Sequence, residues 1–249
     1  MILNDGEKIE DLQLKGLKII QNKKWFCFGM DSVLLSDFAD LKKKSTVVDL
    51  GTGTGIIPLL LWGKKEPEKI YGIEIQDEVA EMAGRSVSMN NLEDRIEILN
   101  IDMKDVENHI KSNSIDAVVT NPPYVESNGG IVNPEDKKAL SRHEISCSLE
   151  DVIRTSSRLL KHHGRFYMVH RPYRMADIIE LMRKYKLEPK RMRLVYPRQG
   201  TNPNMILIKG VKGGNPEMKI DPPLYVYRDK ESYTDEIYEI YGMERKDGR

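Results

Sequence analysis

The residues of this chain best suited to chemistry form one tetrapeptide, Asn121-Pro122-Pro123-Tyr124. It follows the apolar run 115–120, which predicts a buried strand, and open α/β sheets bind ligands at the carboxyl ends of their strands. Asn121 offers an amide carbonyl as acceptor, and a residue before proline is held extended with its own carbonyl fixed. Tyr124 adds a flat face for stacking. The set suits a planar group with an exocyclic amino group, although a proline-rich turn is the alternative.

A glycine-rich loop upstream, in residues 47–55, weighs against that alternative. A β-branched strand runs into the loop and a helical pattern follows it. Gly51, Gly53 and Gly55 permit a tight turn and a close approach of a ligand to the backbone. Their spacing differs from the G-x-G-x-x-G of dinucleotide binders, and Asp49 stands before the first glycine. Because a carboxylate there disfavours a pyrophosphate at the helix start, the loop predicts a cationic or zwitterionic ligand.

Two further acids follow predicted strands. Glu74 ends the strand at 69–75, about 20 residues beyond the glycine loop, where nucleotide-binding βαβ units place an acid that accepts hydrogen bonds from ribose hydroxyls. Asp102 follows the strand at 95–101 and is placed to meet an adenine amino group. Each also has a structural interpretation: a surface glutamate for Glu74, and for Asp102 the cap of a helical pattern that begins at Met103.

Together these residues resemble the class I S-adenosylmethionine-dependent methyltransferases, over about residues 25 to 212. The resemblance implies S-adenosyl-L-methionine as cofactor, S-adenosyl-L-homocysteine as product, and no metal. The tetrapeptide matches the branch that methylates amino groups, so the implied catalytic residues are Asn121, Pro122 and Tyr124. The implied cofactor-binding residues are Met30, Asp31, Asp49, Gly51, Gly53, Gly55, Glu74, Ile75, Asp102, Met103 and Asn121.

A narrower resemblance concerns the acceptor. Residues 26–35 are similar to the segment before the cofactor loop in bacterial adenine-N(6) methyltransferases that act on the anticodon region of valine tRNA. Arg142-His143-Glu144, the glycine turn at Gly164 and His170-Arg171-Pro172 are also similar to that subfamily. The resemblance therefore implies methylation of adenine N(6), with tRNA as substrate and partner.

The implied chemistry needs no general base. The sulfonium makes the cofactor's methyl group electrophilic, so the enzyme mainly aligns a nitrogen lone pair with the carbon–sulfur bond, and such positioning lowers a barrier by roughly 7–11 kcal/mol in the best cases. The Asn121 side-chain oxygen and the Pro122 carbonyl would bind the amino hydrogens and stabilise positive charge on the nitrogen. Tyr124 would stack on the base once it is splayed from the RNA.

Other acceptors share the tetrapeptide. Enzymes that methylate a protein glutamine, of the release-factor type, carry a helical domain before the cofactor loop, whereas the roughly 45 residues before it here predict a hairpin and a helix. Guanine amino-group methyltransferases of rRNA more often have phenylalanine in place of Tyr124. A DNA adenine methyltransferase would need a target-recognition domain, for which no spare segment is left. A binding module without turnover is disfavoured by intact Asp49, Glu74 and Asn121.

Composition sets broad limits. The 249 residues carry 39 basic and 39 acidic side chains, so the net charge gives no signature of nucleic-acid binding. The length suits one α/β domain. The two cysteines, Cys27 and Cys147, form neither a metal-ligand spacing nor a disulfide framework. No apolar stretch has the length of a signal peptide or membrane span, so a cytoplasmic protein without membrane attachment is expected. The sequence leaves the oligomeric state open, and a monomer is favoured.

Alternating strand and helix patterns predict an α/β fold. The resemblance specifies a Rossmann-like, seven-stranded class I methyltransferase sheet with helices on both faces and the last strand antiparallel. We expect a hairpin and helix extension at 1–45, a catalytic domain at 46–212 and a tail at 213–249. The hairpin is expected over 11–28, and a long loop over 125–147.

Three further features have alternative interpretations. Basic residues concentrate late in the chain, and part of this set either neutralises tRNA phosphates or belongs to an ordinary solvated surface. The set is Arg183, Lys184, Lys186, Lys190, Arg191, Arg193 and Arg198, with Lys161, Arg165, Arg171 and Arg174 nearby in the sequence. His170 either borders the substrate or is a satisfied edge histidine. The tyrosine-rich tail either packs over the sheet edge or stays mobile. In addition, the helix at 149–161 is expected to stop at the two histidines before Gly164.

Overall fold

The computed structural model describes residues 3–22, 29–122, 147–230 and 232–243. The strands are β1 (Glu7–Asp11), β2 (Lys18–Asn22), β3 (Thr46–Leu50), β4 (Lys69–Glu74), β5 (Ile96–Asn100), β6 (Ile115–Thr120), β7 (Leu160–His170), β8 (Leu187–Tyr196), β9 (Met205–Lys212), β10 (Lys219–Ile220) and β11 (Leu224–Tyr225). The helices are α1 (Met30–Phe38), α2 (Ile56–Lys65), α3 (Asp77–Met89), α4 (Leu149–Leu159), α5 (Met175–Lys184) and α6 (Asp235–Tyr241), with short 3-10 helices at Met103–Asn108 and Pro172–Arg174. Pro123, Tyr124, His143 and the expected long loop up to residue 146 lie outside the described residues.

The main sheet has the order β10-β8-β9-β7-β6-β3-β4-β5, and β11 also pairs with β8. The strands from β7 to β5 along this order are parallel, whereas β9 is antiparallel to both β7 and β8. The α/β class and the antiparallel last strand of the predicted seven are confirmed. The sheet is larger than predicted, with 9 strands, because β10 and β11 add to β8 in parallel.

Helices cover both faces of the sheet because its central strands are apolar on both sides. In β3, Val47 packs in the cluster that contains α1 and α2, and its neighbour Val48 packs in the cluster that contains α4 and α5. Both side chains are fully buried, as are those of Val118 and Val119 in β6. Continuous β-branched runs of this kind are typical of parallel strands with both faces covered.

Strands β1 and β2 form an N-terminal hairpin. The strand expected at 17–21 is present as β2, but its antiparallel partner is the preceding β1, and the predicted partner at 25–28 lies outside the described residues. The Glu7 carboxylate fixes β1 by accepting hydrogen bonds of 2.8 and 2.5 Å from the Arg85 guanidinium of α3. These bonds lower the pKa of Glu7 to about 2. Because the two residues are 78 positions apart, local alternation carries no signal for the pair.

Strand β7 begins earlier than predicted. The helix expected to reach residue 161 ends at Leu159, and His162 and His163 lie within β7 and not at a helix end. The Leu159 carbonyl accepts a hydrogen bond of 3.1 Å from the Ser114 N–H, in the segment that leads into β6. Pairing with the neighbouring strand therefore ends the helix before Gly164 is reached.

The segment from residue 213 to residue 243 packs on the sheet. Its strands β10 and β11 lie along β8, and Leu224, Val226, Ile237 and Ile240 are buried in the cluster that contains α1 and α2. A bare edge strand is a template for unwanted pairing, which this cover limits. Of the two alternatives for the tyrosine-rich tail, packing over the sheet edge is the one observed.

Candidate active site

The carboxyl ends of β6, β3, β4 and β5 lie side by side at one edge of the sheet. Leu50, which ends β3, is opposite Thr120 of β6 and Ile73 of β4, and Glu74 is opposite Asn100 of β5. The register therefore brings together the glycine loop, Glu74, Asn121 and the turn at Asp102, as the sequence predicts. This edge is where open α/β sheets bind ligands.

The glycine loop presents open backbone to this edge. Gly51, Gly53 and Gly55 have φ values of +75°, +55° and +82°, in the left-handed region that favours glycine. A Cβ atom added to Gly51 or Gly53 would meet no other described atom within 4 Å, whereas one on Gly55 would lie 3.3 Å from the Cβ of Ala83 in α3. The first two glycines therefore leave room for a ligand, and the third permits close packing of α2 on α3.

Asp49 is a fully buried carboxyl group at the base of the loop. Neither of its oxygens has a hydrogen-bond partner among the described residues, and the nearby Thr52 hydroxyl also lacks a well-formed one. Burial raises the pKa of Asp49 to about 7; the Thr52 hydroxyl opposes the rise and the Glu74 carboxylate adds to it. Because an unpaired buried carboxylate is strongly disfavoured, the position calls for a cationic or hydrogen-bond-donating ligand group.

Glu74 connects the end of β4 to the glycine loop. Its Oε2 accepts a hydrogen bond of 2.9 Å from the Gly53 N–H, and its Oε1 accepts bonds of 3.0 and 3.3 Å from the backbone and side chain of Gln76. The side chain is buried, which contradicts the alternative of a surface glutamate. Oε2, which accepts one hydrogen bond, keeps a second lone pair for a ligand hydroxyl. Glu74 therefore shapes the loop besides facing the edge, a role that the sequence did not indicate.

The Asn121 amide is oriented by helix α1. Its Nδ2 donates a long hydrogen bond of 3.5 Å to the Ser32 Oγ, while its Oδ1 is buried without a partner among the described residues. An unsatisfied buried acceptor costs about 1–3 kcal/mol, and proteins keep one mainly where a ligand completes it. The acceptor predicted at Asn121 is present. Ser32 was missed as a site residue, because its only signal was its place in the segment 26–35.

The turn after β5 supplies a polar and an apolar contact surface. Asp102 caps the 3-10 helix by accepting a hydrogen bond of 2.9 Å from the Lys104 N–H, so its capping alternative is observed. Its side chain remains 26% exposed and can also face a ligand. Ile75, at the end of β4, is 43% exposed, and the Met103 Sδ lies 3.1 Å from the Cys147 Sγ. Exposed apolar groups beside a carboxylate suit the face and edge of a purine.

The remaining candidates lie in the first turn of α1 and at the end of β6. Asp31 is buried, and its Oδ1 accepts a hydrogen bond of 2.9 Å from the Ser32 N–H. Met30 packs against the cluster that contains α1 and α2, so its side chain contributes to the core as well. Pro122 is buried next to Asn121, whereas Tyr124 lies outside the described residues.

His170 ends β7, the strand beside β6. It is buried, and its Nδ1 accepts a hydrogen bond of 2.8 Å from the Arg171 N–H. Burial is the main cause that lowers the pKa of His170 to about 4, and the positive charge of Arg174 lowers it further. The imidazole is therefore neutral at pH 7. These contacts fit the satisfied-histidine alternative.

Among the described residues there is no group of three or more His, Cys, Asp or Glu side chains placed to hold a metal ion. In that part of the chain, no helix combines the length and apolar character needed to cross a membrane.

The unsatisfied atoms at this edge fit the cofactor implied by the resemblance. The oxygens of Asp49 would accept from its ammonium group, and Glu74 from its ribose hydroxyls. Ile75, Asp102 and Met103 would hold the adenine ring. The open glycine backbone gives the sulfur-bearing chain space beside Asn121.

Comparison with known proteins supports the same assignment. Residues 29–186 match the family model described as methyltransferase small domain. A curated relative from Porphyromonas gingivalis is 31% identical over 185 residues, which cover 72% of this chain and 72% of the relative. One from Bacteroides thetaiotaomicron is 29% identical over 198 residues, covering 79% and 81%. Both are named tRNA1(Val) (adenine(37)-N6)-methyltransferase.

Solved structures share the fold. A predicted O-methyltransferase from Agrobacterium tumefaciens superposes with a TM-score of 0.70 at 23% identity, over 86% of this chain and 96% of that one. The M. jannaschii TYW2 protein, in complex with AdoMet, superposes with a TM-score of 0.59 at 14% identity, over 85% and 88%. The family model spans more than half of the sequence, and the Porphyromonas relative exceeds 30% identity over more than two thirds of it. The chain therefore belongs to the methyltransferase small-domain family and is an S-adenosylmethionine-dependent methyltransferase.

Proposed function

We propose that this enzyme transfers the methyl group of S-adenosylmethionine to N(6) of an adenine in tRNA, in the anticodon region of a valine tRNA. The observation that carries the proposal is the unsatisfied Oδ1 of Asn121, which lies at the end of β6 beside the glycine loop. An acceptor in this position selects a ligand that donates a hydrogen bond, as an exocyclic amino group does. The two curated relatives carry names that specify the same acceptor.

The chain's own residues position the adenine amino group that receives the methyl group. When bound, the cofactor supplies an electrophilic methyl group. The Asn121 Oδ1 and the Pro122 carbonyl accept the two amino hydrogens, which favours a more tetrahedral nitrogen whose lone pair is less delocalised into the ring and stabilises the positive charge that develops. Ser32 keeps the Asn121 oxygen turned toward the acceptor. Tyr124 stacks on the splayed base.

The surface beside β7 has a chemistry that suits RNA. Tyr173 is 52% exposed, and Arg171 and Arg174 flank it directly after the end of β7. The Arg174 Nε donates a hydrogen bond of 2.7 Å to the Asp177 carboxylate. The Arg171 Nη1 donates a hydrogen bond of 3.1 Å to the Asn204 carbonyl, which connects this turn to the loop that contains Arg198. Aromatic rings stack on unpaired bases and guanidinium groups bind phosphates. We name Arg171, Tyr173, Arg174 and Arg198 the RNA surface.

Three other residues of the basic set, Lys190, Arg191 and Arg193, contact the C-terminal segment. Arg193 makes hydrogen bonds of 2.6 and 2.8 Å to the Glu236 carboxylate of α6, and Arg191 pairs with the buried Asp221. The Lys190 Nζ donates a bond of 3.2 Å to the Asn215 carbonyl. These contacts attach the tail to β8, and neutralisation of phosphates by Arg191 and Arg193 stays a prediction. Consecutive basic residues in a sequence do not show which of them already have acidic partners.

Neutralising the RNA surface is expected to weaken tRNA binding without changing cofactor affinity. In the double variant Arg174→Gln with Arg198→Gln, the logarithmic slope of affinity against salt should fall by about 0.7–0.9 for each phosphate that is no longer neutralised. Filter binding of valine tRNA at several salt concentrations measures this slope. Lys43→Gln is the matched control, because Lys43 is 79% exposed and precedes β3 at the opposite edge of the sheet. A wild-type slope near zero would reject tRNA as the substrate.

Glu74→Gln is expected to lower the affinity for S-adenosylhomocysteine by about tenfold or more. The new amide turns an NH2 group toward either the Gly53 N–H or the Gln76 N–H, so at least one accepted hydrogen bond is lost and the oxygen that faces the ligand is displaced. Titration calorimetry measures the affinity, and circular dichroism checks the fold. Gln76→Ala removes only the bond of 3.3 Å from that side chain, so it should retain most of the affinity. Wild-type affinity in a folded Glu74→Gln variant would remove Glu74 from the cofactor site.

Labelled cofactor tests the acceptor class directly. The enzyme is incubated with total RNA and total protein from a strain that lacks its gene. The proposal expects label that is sensitive to nuclease and that maps to an adenine of a valine tRNA. Protease-sensitive label would instead identify a protein glutamine as the methyl acceptor. Label in a guanine of rRNA would identify the guanine amino-group alternative. Tyrosine at position 124 and the relatives' names favour adenine.

A tRNA substrate also bears on where and how the enzyme works. Together with the proposal we place it in the cytoplasm, as a monomer whose RNA surface and catalytic edge lie on one chain. Light scattering of the purified protein, alone and with tRNA, tests the stoichiometry of one chain per tRNA.

A further inference from the structure

The buried polar atoms without partners point to one residue outside the predicted site. Among the described residues these atoms belong to Gln21, Asp49, Thr52 and Asn121. Three of these residues lie at the catalytic edge: Asp49 near the end of β3, Thr52 in the loop after it, and Asn121 directly after β6. Gln21 lies in β2 of the N-terminal hairpin, is only 3% exposed, and leaves its Nε2 donor unsatisfied. Because native proteins rarely bury an amide NH2 group unpaired, its environment requires an acceptor that the described residues do not supply.

The hairpin brings Gln21 to the catalytic edge. Along β2, the Lys18 N–H donates to the Asn90 side chain at 2.9 Å and the Ile20 N–H donates to the Ser86 Oγ at 3.0 Å. Strand β2 therefore runs antiparallel to α3, toward the start of that helix. Asn22, the next residue, lines a cleft together with Asp77 and Met82 of the first turns of α3. Since α3 begins just after the carboxyl end of β4, the last residues of β2 reach the edge where the cofactor residues lie.

The face of β2 on which Gln21 lies further defines the position of its side chain. Alternate side chains of a strand share a face, so Gln21 points to the same side as Ile19. Ile19 packs in the cluster that contains α1 and α2. Helix α1 begins with the turn that contains Ser32, which contacts Asn121. Helix α2 begins at the end of the glycine loop, where Gly55 packs on Ala83. Gln21 thus lies on the side of the site where the loop and the start of α1 meet.

The chemistry of the cofactor supplies the missing acceptor. Its amino-acid end carries an ammonium and a carboxylate group. The acid Asp49 suits the ammonium, but the predicted cofactor-binding residues include no lysine, arginine or histidine for the carboxylate. We infer that the Gln21 side chain binds the carboxylate of S-adenosylmethionine through its Nε2. A neutral donor meets this need while adding no charge beside Asp49 and Asp31.

The inference is tested with two ligands that differ in one group. S-adenosylhomocysteine retains the carboxylate, and its decarboxylated analogue, S-adenosylthiopropylamine, lacks it and keeps the amine. Titration calorimetry on the wild-type protein should show tighter binding of the first ligand by about tenfold or more, as expected for a hydrogen bond to a charged group. In Gln21→Leu this preference should disappear, because only the carboxylate-bearing ligand loses affinity. Gln76→Leu, the matched control, should keep the wild-type preference.

Two additional measurements keep the inference falsifiable. The melting temperature of ligand-free Gln21→Leu should equal or exceed that of wild type, since the substitution removes an unpaired buried donor. Gln21→Glu, which keeps the shape, should bind S-adenosylhomocysteine weakly and the cationic analogue at least as well as wild type does. A wild-type preference that persists in Gln21→Leu, or a lowered melting temperature of that variant, would overturn the assignment. None of these measurements uses RNA, so an error in the proposed acceptor leaves them unchanged.

Discussion

Asn121→Ala is expected to bind the cofactor and to lose nearly all methyl transfer. The Asn121 Oδ1 is a buried hydrogen-bond acceptor without a partner among the described residues. It is therefore available to bind the amino group that receives the methyl group. Removing one preorganised group that stabilises developing charge lowers kcat by roughly 10²–10³-fold. Single-turnover transfer to valine tRNA measures the rate, and calorimetry with S-adenosylhomocysteine measures cofactor affinity, which should change by no more than about threefold.

Ser32→Ala separates orientation of the amide from its presence. The Ser32 Oγ accepts the only hydrogen bond that the Asn121 Nδ2 makes within the described residues, at 3.5 Å. Because the oxygen remains and only its orientation loosens, Ser32→Ala should reduce kcat far less than Asn121→Ala does. Equal losses in the two variants would mean that Ser32 also contacts the reacting groups. Full activity of Asn121→Ala would remove Asn121 from the catalytic role.

The parts of the fold that local pattern encodes were predictable. The apolar runs at β3, β4 and β6 are buried on both faces, and glycines at positive φ can be recognised where they follow such a run. The carboxyl ends of adjacent parallel strands share an edge, so the glycine loop, Glu74, Asp102 and Asn121 were expected together. Their proximity follows from strand order, which the resemblance supplied.

Contacts between distant segments were not predictable from local pattern. The partner of β2 is set by Glu7 reaching Arg85, and the tail is held by Arg193 reaching Glu236. In each case a charged residue has many possible partners in the sequence, and only packing selects one. The roles of Ser32 and Gln21 could not be predicted for the same reason, since the sequence does not show whether the polar atoms of a single serine or glutamine have hydrogen-bond partners. The absence of a partner is visible only in three dimensions.

Asp49→Asn is expected to stabilise the ligand-free protein while weakening cofactor binding. The pKa of Asp49 is raised from 3.8 to about 7 in the folded state. Between these values the folded protein holds a proton that the unfolded chain has released, so the contribution of Asp49 to stability falls as the pH rises from about 4 to about 7 and stays low above that range. Asparagine carries no such penalty. The gain in melting temperature should therefore be largest at pH 8 and small near pH 4.

Cofactor affinity should change in the opposite direction. Without the carboxylate, the ligand's ammonium loses a charged partner, which lowers the affinity for S-adenosylhomocysteine by about tenfold or more at pH 8. In the wild-type protein the affinity should decrease as the pH falls through 7 and Asp49 becomes protonated, whereas in Asp49→Asn it should vary less over the same range. Calorimetry and thermal unfolding between pH 4 and pH 8 measure both effects, with the exposed Asp105→Asn as control. If Asp49→Asn were less stable than the wild type and bound the ligand normally, Asp49 would serve the fold and not the ligand. A carboxylate retained for a ligand must instead cost stability when that ligand is absent.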